Sequence, residues 1–290
     1  MTIMIQYLVL LSCIGFLVFL ISGRYRKYPA IAGWTFIVLA LFANIPEYFA
    51  ENNFLYPVMA GLSIPFLLIT IRFLLRDDPT VFSLSRAAAV AFLIYAPFAY
   101  IPEVGNWLIS VVIDQVIAIL RAFGVAVTLT CMDPVSLHAL DPASCAGLFR
   151  DTITRNSLNV EIILACTGIQ SIAIMLGVAA AVRTTLKQKA MAFLLVAPTI
   201  YILNLFRNVF VIMAYTGQWF PYFPEIAGNG EYGYESFFWA HNVIAEFLAL
   251  VLLIAIAYGL FSIIPNLADF ADDLYRIYYS EVRAVFCRGR

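Results

Sequence analysis

The sequence predicts an all-α polytopic integral membrane protein of about seven or eight transmembrane helices with a small extracytoplasmic loop region. Three observations carry this reading. The composition is 63% hydrophobic and only 12% charged, with a mean hydropathy of +0.91. Apolar runs recur near the length that crosses a bilayer. The loops between them alternate in charge along the chain. A surface this poor in charge cannot be wetted, so lipid is the expected solvent. The formal net charge of -1 leaves no cluster of cations for a polyphosphate, and nucleic acid is excluded as a partner. No GxGxxG, Walker-type glycine loop, paired-Cys zinc spacing or heptad array occurs, so no cofactor and no metal is expected.

The first run is Ile3 to Ile21. Its basic residues follow it instead of preceding it, unlike a cleaved leader, so it is expected to stay as a span. Further spans are expected at Ile31 to Phe49, Leu55 to Leu75, Ala87 to Ile101, Glu161 to Val182, Ala190 to Tyr215 and Phe237 to Ile264, the fourth of the seven being short. Basic loops mark the cytoplasm. Arg24, Arg26 and Lys27 fall inside on this rule, Glu47 and Glu51 outside, Arg76 and Arg86 inside, and Glu103 outside. The second half repeats the alternation, with Arg183, Lys187 and Lys189 inside, Glu225, Glu231 and Glu235 outside, and the tail from Arg276 to Arg290 inside.

The alternation requires that Trp107 to Gly124 not cross fully. Asp114 and Arg121, seven residues apart, share one face of it, which suits an interfacial or re-entrant helix. The alternative is an eighth crossing, which would place Arg24, Arg26 and Lys27 outside. Val125 to Val160 is read as an outer loop whose alternating Val-Ala-Val-Thr-Leu-Thr can pair as a strand. Cys131 and Cys145 lie in it. In an oxidising exterior they can close a disulfide that stabilises the loop by about 3 kcal/mol. Two buried free thiols are the other reading.

Polar groups inside spans are expensive and need a reason. In Glu161 to Val182, Ala-Cys-Thr-Gly-Ile-Gln-Ser opens the expected helix, with Cys166 and Gln170 one turn apart and Thr167 and Ser171 beside them. A helix's outer amino-terminal end favours an anion there, whereas a lone Cys in a span commonly only packs. In Ala190 to Tyr215, Asn204, Arg207 and Asn208 follow the i, i+3, i+4 pattern of a single face. An Arg at mid-bilayer costs about 2.5 to 3.5 kcal/mol, so it needs a partner, a wet cavity or a task; snorkelling to the interface is the bland alternative. At the outer end of Phe237 to Ile264 stand His241 and Asn242, with Glu246 one turn below. At about 1.5 Å per residue, Cys166, Arg207 and His241 lie roughly 8, 12 and 7 Å below the outer ends of their helices. A thiol, a fixed cation and an imidazole in one layer are the parts of cysteine acyl transfer.

Ala-Cys-Thr-Gly-Ile-Gln-Ser, then Asn-Leu-Phe-Arg-Asn, then Ala-His-Asn resembles the exosortase/archaeosortase family of membrane transpeptidases, most closely the archaeosortase A type, over about Glu161 to Leu248. The resemblance implies catalysis by Cys166, Arg207 and His241. It implies exported proteins as partners, each bearing a carboxy-terminal sorting tail: a short signature of Pro-Gly-Phe type, a transmembrane helix and a basic end. It also implies transfer of the new carboxy terminus to a membrane lipid acceptor. Gln170, Asn204 and Asn208 are then expected to orient substrate or neighbouring groups, and Glu246 to hold His241 through Asn242 or water. On this reading residues 1–103 are a transmembrane scaffold, 104–160 the interfacial helix and outer loop, 161–264 the catalytic helices and 265–290 a cytoplasmic amphipathic tail.

The rival function class is a polytopic transporter in which Arg207, Glu161 and Glu246 line a polar path and Cys166 only packs. No inverted repeat supports it, and the polar residues gather in a layer. Another intramembrane protease is disfavoured by the absence of a GxS serine setting, an HExxH and paired membrane aspartates. His138 reads as a loop residue without a second metal ligand, and Cys13 and Cys287 as packing and tail residues.

Overall fold

The computed structural model describes residues 3–23, 25–50, 55–132, 139–140, 150–230 and 232–287. Apolar runs without internal caps become helices: α1 (Ile3–Ile21), α2 (Lys27–Ala43), α3 (Ile45–Ala50), α4 (Leu55–Leu75), α5 (Pro79–Tyr100) and α6 (Pro102–Ala122). The bounds of α1 and α4 match the expected spans. The run expected to end at Phe49 breaks at Asn44 instead, because Pro46 has no N–H to carry the ladder back to Phe42. Pro102 divides α5 from α6 in a related way. Ile101 before it takes an extended conformation, φ −108° and ψ 103°, and the proline starts the next helix.

By length and composition, six helical stretches among the described residues can cross a membrane: Met4–Ile21, Pro57–Leu75, Pro79–Tyr100, Pro102–Ala122, Leu186–Thr216 and Tyr234–Ile263. The chain is a mostly helical multi-pass membrane protein. Three expectations change. Trp107 to Gly124, expected not to cross fully, falls mostly in the 21-residue α6, which is long and apolar enough to cross. The short fourth span is a full 22-residue helix. The span expected at Glu161 to Val182 is instead a strand, a 3₁₀ turn (Leu164–Thr167) and the 12-residue α7 (Ile169–Ala180). The remaining helices are α8 (Leu186–Thr216), α9 (Pro224–Ala227), α10 (Tyr234–Phe237), a π-helical segment (Phe238–Ala245), α11 (Glu246–Ile263) and α12 (Asn266–Cys287). Thr185 and Gln188 open α8 as a reciprocal capping box: the Thr185 hydroxyl accepts from the Gln188 N–H at 3.3 Å, and Gln188 Oε1 accepts from the Thr185 N–H at 3.0 Å.

The chain forms two compact units. One comprises residues 1–100, 173–194 and 259–290. In it, Phe16, Trp34, Leu74, Val81 and Phe82 make an aromatic-rich core. α1 and α2 approach closely at two glycines: a Cβ on Gly15 would lie 2.8 Å from the Gly33 nitrogen, so small residues set this helix separation. α12 joins the same unit, with the Tyr278 hydroxyl 2.7 Å from Thr70 Oγ1 and the Glu281 carboxylate accepting from Arg72 at 2.5 Å.

The other unit comprises residues 101–172 and 195–258. It contains an antiparallel four-stranded sheet in the order β2-β1-β3-β4, formed by β1 (Thr128–Met132), β2 (Ala139–Leu140), β3 (Arg150–Arg155) and β4 (Leu158–Glu161). Asn156 and Ser157, at φ 51° and 63°, make the two-residue turn that joins β3 to β4. Ile153, Val160 and Ile162 pack with Val112, Val116 and Leu120 of α6 and Leu205, Val209 and Ile212 of α8. The hairpin also closes the end of α8, as Arg155 donates to Thr216 Oγ1 and Asn156 to the Thr216 carbonyl, both at 2.9 Å. On α6 the buried stripe Val112, Ile113, Val116, Ile117 and Leu120 leaves Asp114 and Arg121 exposed together. The alternating run in the loop does become a strand, shifted to Thr128–Met132. The Cys131–Cys145 pairing and His138 lie outside the described residues.

Candidate functional site

β4 delivers the chain through buried Ile162 into the Leu164–Thr167 turn, where Cys166 packs against the core shared by the sheet, α6 and α8. The Cys166 N–H donates to the Ile163 carbonyl at 2.8 Å, and the Thr167 hydroxyl donates to the Leu164 carbonyl at 2.7 Å. Gly168 then takes φ +80°, a left-handed conformation that ends the turn and aims the chain into α7. Helix period from Cys166 to Gln170 is therefore broken. Gln170 sits exposed in the first turn of α7, and the two do not share a helical face as expected.

α8 meets this turn with its polar face. Asn204 Nδ2 donates to the Cys166 carbonyl at 2.5 Å and Asn208 Nδ2 donates to the same oxygen at 2.8 Å. Asn208 is only 6% exposed, so its amide is committed to this contact. A Cβ on Gly168 would lie 3.3 Å from Asn204 Cβ, which keeps that position small. The two asparagines thus clamp the backbone of the cysteine and leave its thiol, a free cysteine, unencumbered by them.

Arg207 lies between them on the same face. Its Nη2 donates to Glu246 Oε1 at 2.5 Å and stands 3.4 Å from His241 Nε2. The guanidinium is mostly sheltered, at 16% exposure, while the Glu246 side chain is 57% exposed. Arg207 Nε is buried without a hydrogen-bond partner among the described residues. A buried donor left unpaired is costly, so the surroundings of this guanidinium are unusual for a packed helix face. Glu246 takes a different partner from the one expected. It holds Arg207 directly, and the contact to His241 Nδ1 is made by Asn242 Oδ1 at 2.7 Å. With Nδ1 on the Asn242 amide oxygen, the other ring nitrogen, Nε2, faces the guanidinium.

His241 and Asn242 are carried by the π-helical segment, whose wider turn inserts one residue and re-aims the side chains around it. Phe237 stacks on the His241 ring with centroids 4.9 Å apart at 14°, and Tyr215 packs edge-on against Phe237 at 5.6 Å. Sequence reasoning missed this aromatic support. Its signal was an aromatic one turn before the histidine.

Beside Arg207 opens a cavity of about 370 Å³. Gly168, Asn204 and Arg207 line one part of it, and Leu248, Leu252 and Ile256 of α11 line its apolar extension. All of these residues belong to one compact unit. Among the described residues no group of three His, Cys, Asp or Glu side chains is placed to hold a metal ion.

The transmembrane exosortase family matches residues 3–230, a stretch that holds Cys166 and Arg207 and stops before His241. Archaeosortase A of Natronomonas pharaonis is 28% identical over 260 residues, covering 87% of this chain and 80% of that protein. Archaeosortase A of Haloferax volcanii is 26% identical over 271 residues, covering 87% of this chain and 86% of that protein. No solved structure gives a significant match. A match over most of the length, on a chain with helices fit to cross a bilayer, assigns this multi-pass membrane protein to the transmembrane exosortase family.

Proposed function

We propose that this chain is a cysteine-dependent membrane transpeptidase. It cleaves a carboxy-terminal sorting tail from exported surface proteins and passes the new carboxy terminus, through a Cys166 thioester, to a membrane lipid. The observation that supports the reading is that Asn204 and Asn208, either side of Arg207 on α8, hold the backbone of Cys166, while Arg207 itself stands 3.4 Å from His241 Nε2. Family membership supports the reaction class, and the relatives named archaeosortase A support exported substrates with carboxy-terminal sorting signals; the Pro-Gly-Phe type signature is what the sequence resemblance implies.

In this mechanism Cys166 Sγ attacks the scissile carbonyl carbon while the thiol proton passes to His241 Nε2. The oxygen that gains charge is met by N–H donors of Arg207, which Glu246 fixes in place so that little reorganisation accompanies the reaction. The C–N bond breaks, and the leaving amine takes the proton from His241. The acyl group now rides on Cys166 as a thioester. A lipid-borne nucleophile then gives its proton to His241 Nε2, attacks the thioester carbon and releases the thiol, which recovers that proton. The site faces the extracytoplasmic side in this scheme, where the tail of an exported protein presents its signature. The apolar part of the cavity suits a membrane-embedded reaction partner next to the reacting carbon.

The test is co-expression of a tail-bearing substrate with the wild-type chain or with Cys166→Ala. The wild type is expected to remove the tail, shifting the substrate on a gel. The variant is expected to reach the membrane in equal amount and leave every tail attached. Wild-type processing by Cys166→Ala would end the cysteine mechanism.

A further inference from the structure

A second polar cavity, of about 350 Å³, lies in the other compact unit, and three guanidinium side chains line it: Arg26, Arg86 and Arg183. Ser83 and Asn266 add a hydroxyl and an amide, and among the described residues no carboxylate lines it. None of the three arginines has an ion pair among the described residues. The nearby acids are already committed. Asp77 pairs with Lys27 at 2.8 Å, and Asp78 Oδ1 accepts the N–H groups of Thr80 and Val81 at the start of α5. Two of them are instead positioned by uncharged groups: Arg26 lies over the Phe82 ring at 4.0 Å, and Arg86 Nη1 donates to the Ala181 carbonyl at 3.3 Å.

Arg26 and Arg183 are within electrostatic reach of Arg86, so three like charges converge on one space without compensation. Arg86 lies seven residues into α5, roughly 10 Å along the helix from Pro79, where a lone cation is costly. Such a cluster is stabilised by an anion between the guanidinium groups, and a phosphate matches their planar forks with two parallel hydrogen bonds each. The residues come from four helix junctions, α1–α2, α4–α5, α7–α8 and α11–α12, which the loop charges assign to the cytoplasmic face. There the leaflet is rich in anionic headgroups.

We propose that this cavity is a binding site for a phosphate ester, distinct from the transpeptidase site and independent of that reading. Arg26, Arg86 and Arg183 bind the phosphate oxygens, and Ser83 and Asn266 complete the shell. Both an anionic lipid headgroup and dissolved phosphate carry that chemistry.

Thermal unfolding of the full chain separates the two sources. One arm compares nanodiscs of phosphatidylcholine with nanodiscs containing phosphatidylglycerol. The other adds inorganic phosphate, against chloride of equal ionic strength, to phosphatidylcholine nanodiscs. A bound ligand is expected to raise Tm by about 3 °C or more in one arm. The rise should vanish in Arg183→Gln, a substitution at an exposed position that does not threaten folding, and in Arg86→Gln. It should persist in Lys187→Gln, which removes an exposed cation outside the cavity. A rise with phosphatidylglycerol identifies a lipid headgroup, and a rise with phosphate alone identifies a dissolved anion. No rise in either arm, or an equal loss in Lys187→Gln, overturns the site.

Discussion

Arg207 has the most demanding surroundings of any residue in the candidate site. One terminal nitrogen serves both Glu246 and the His241 edge, and its Nε is buried and unpaired. Lysine at this position keeps the charge but loses the planar fork. Arg207→Lys is therefore expected to lower the rate of tail removal by about a hundredfold, the scale of losing one donor to a developing oxyanion. Glu246→Gln loosens the fork without removing it and should cost about tenfold. The double variant should be little slower than Arg207→Lys alone, because both substitutions act on one group. Pulse-chase of a tail-bearing substrate measures all three, and additive losses would separate Glu246 from Arg207. The Asn204, Arg207 and Asn208 face was legible in the sequence because α8 keeps its 3.6-residue period through them. What the two asparagines hold was not legible. That depends on Gly168, which falls inside the run expected to open a helix and instead adopts φ +80°, ending the turn whose Cys166 carbonyl the two asparagines meet.

At the scale of elements, the site depends on two departures from regular helix, and each hid from the sequence for a physical reason. The expected span at Glu161 to Val182 has ample hydrophobicity, but its first residue, Glu161, pairs with Thr152 as the end of β4, and the chain then enters the 3₁₀ turn. Hydropathy does not report strand pairing. The π-helical segment adds one residue to a helix whose composition is unremarkable, so periodicity over so short a stretch could not reveal it. Its consequence is testable. Deleting Val243, which is exposed, should restore an α-helical turn and rotate His241 by roughly 100° relative to Glu246. The variant is expected to insert and accumulate like wild type but to lose tail removal almost entirely. Near-normal turnover would show that His241 need not face Arg207. The partner of Glu246 was missed for the same reason, since the rotation of α11 against α8 is set by that wide turn.

At the scale of the whole chain, composition and loop charge were enough for a polytopic helical protein, and the bounds of α1 and α4 were readable from hydropathy alone. The sheet was only partly readable. Alternation marked β1, whereas β3 and β4 are rich in Thr, Arg and Asn and owe their place to the Asn156–Ser157 turn and to apolar Ile153 and Val160 on the α6 and α8 core. Orientation follows from charge and has its own check. A cysteine at Glu225 should react with an impermeant maleimide on intact cells, and one at Lys187 only after permeabilisation, in a background in which all five native cysteines are replaced by serine. The reverse pattern would invert the protein and move the candidate site to the cytoplasmic face.

A transpeptidase transfers the new carboxy terminus and does not only cleave. The most direct measurement of transfer is mass spectrometry of the mature carboxy terminus of a tail-bearing substrate, purified from cells with the wild-type chain and with Cys166→Ala. Transfer predicts a carboxy-terminal peptide ending at the signature and carrying the added mass of a membrane lipid in the first case, and the intact tail in the second. A free carboxylate at the cleavage site with wild type, or a lipid-bearing terminus without Cys166, would contradict it.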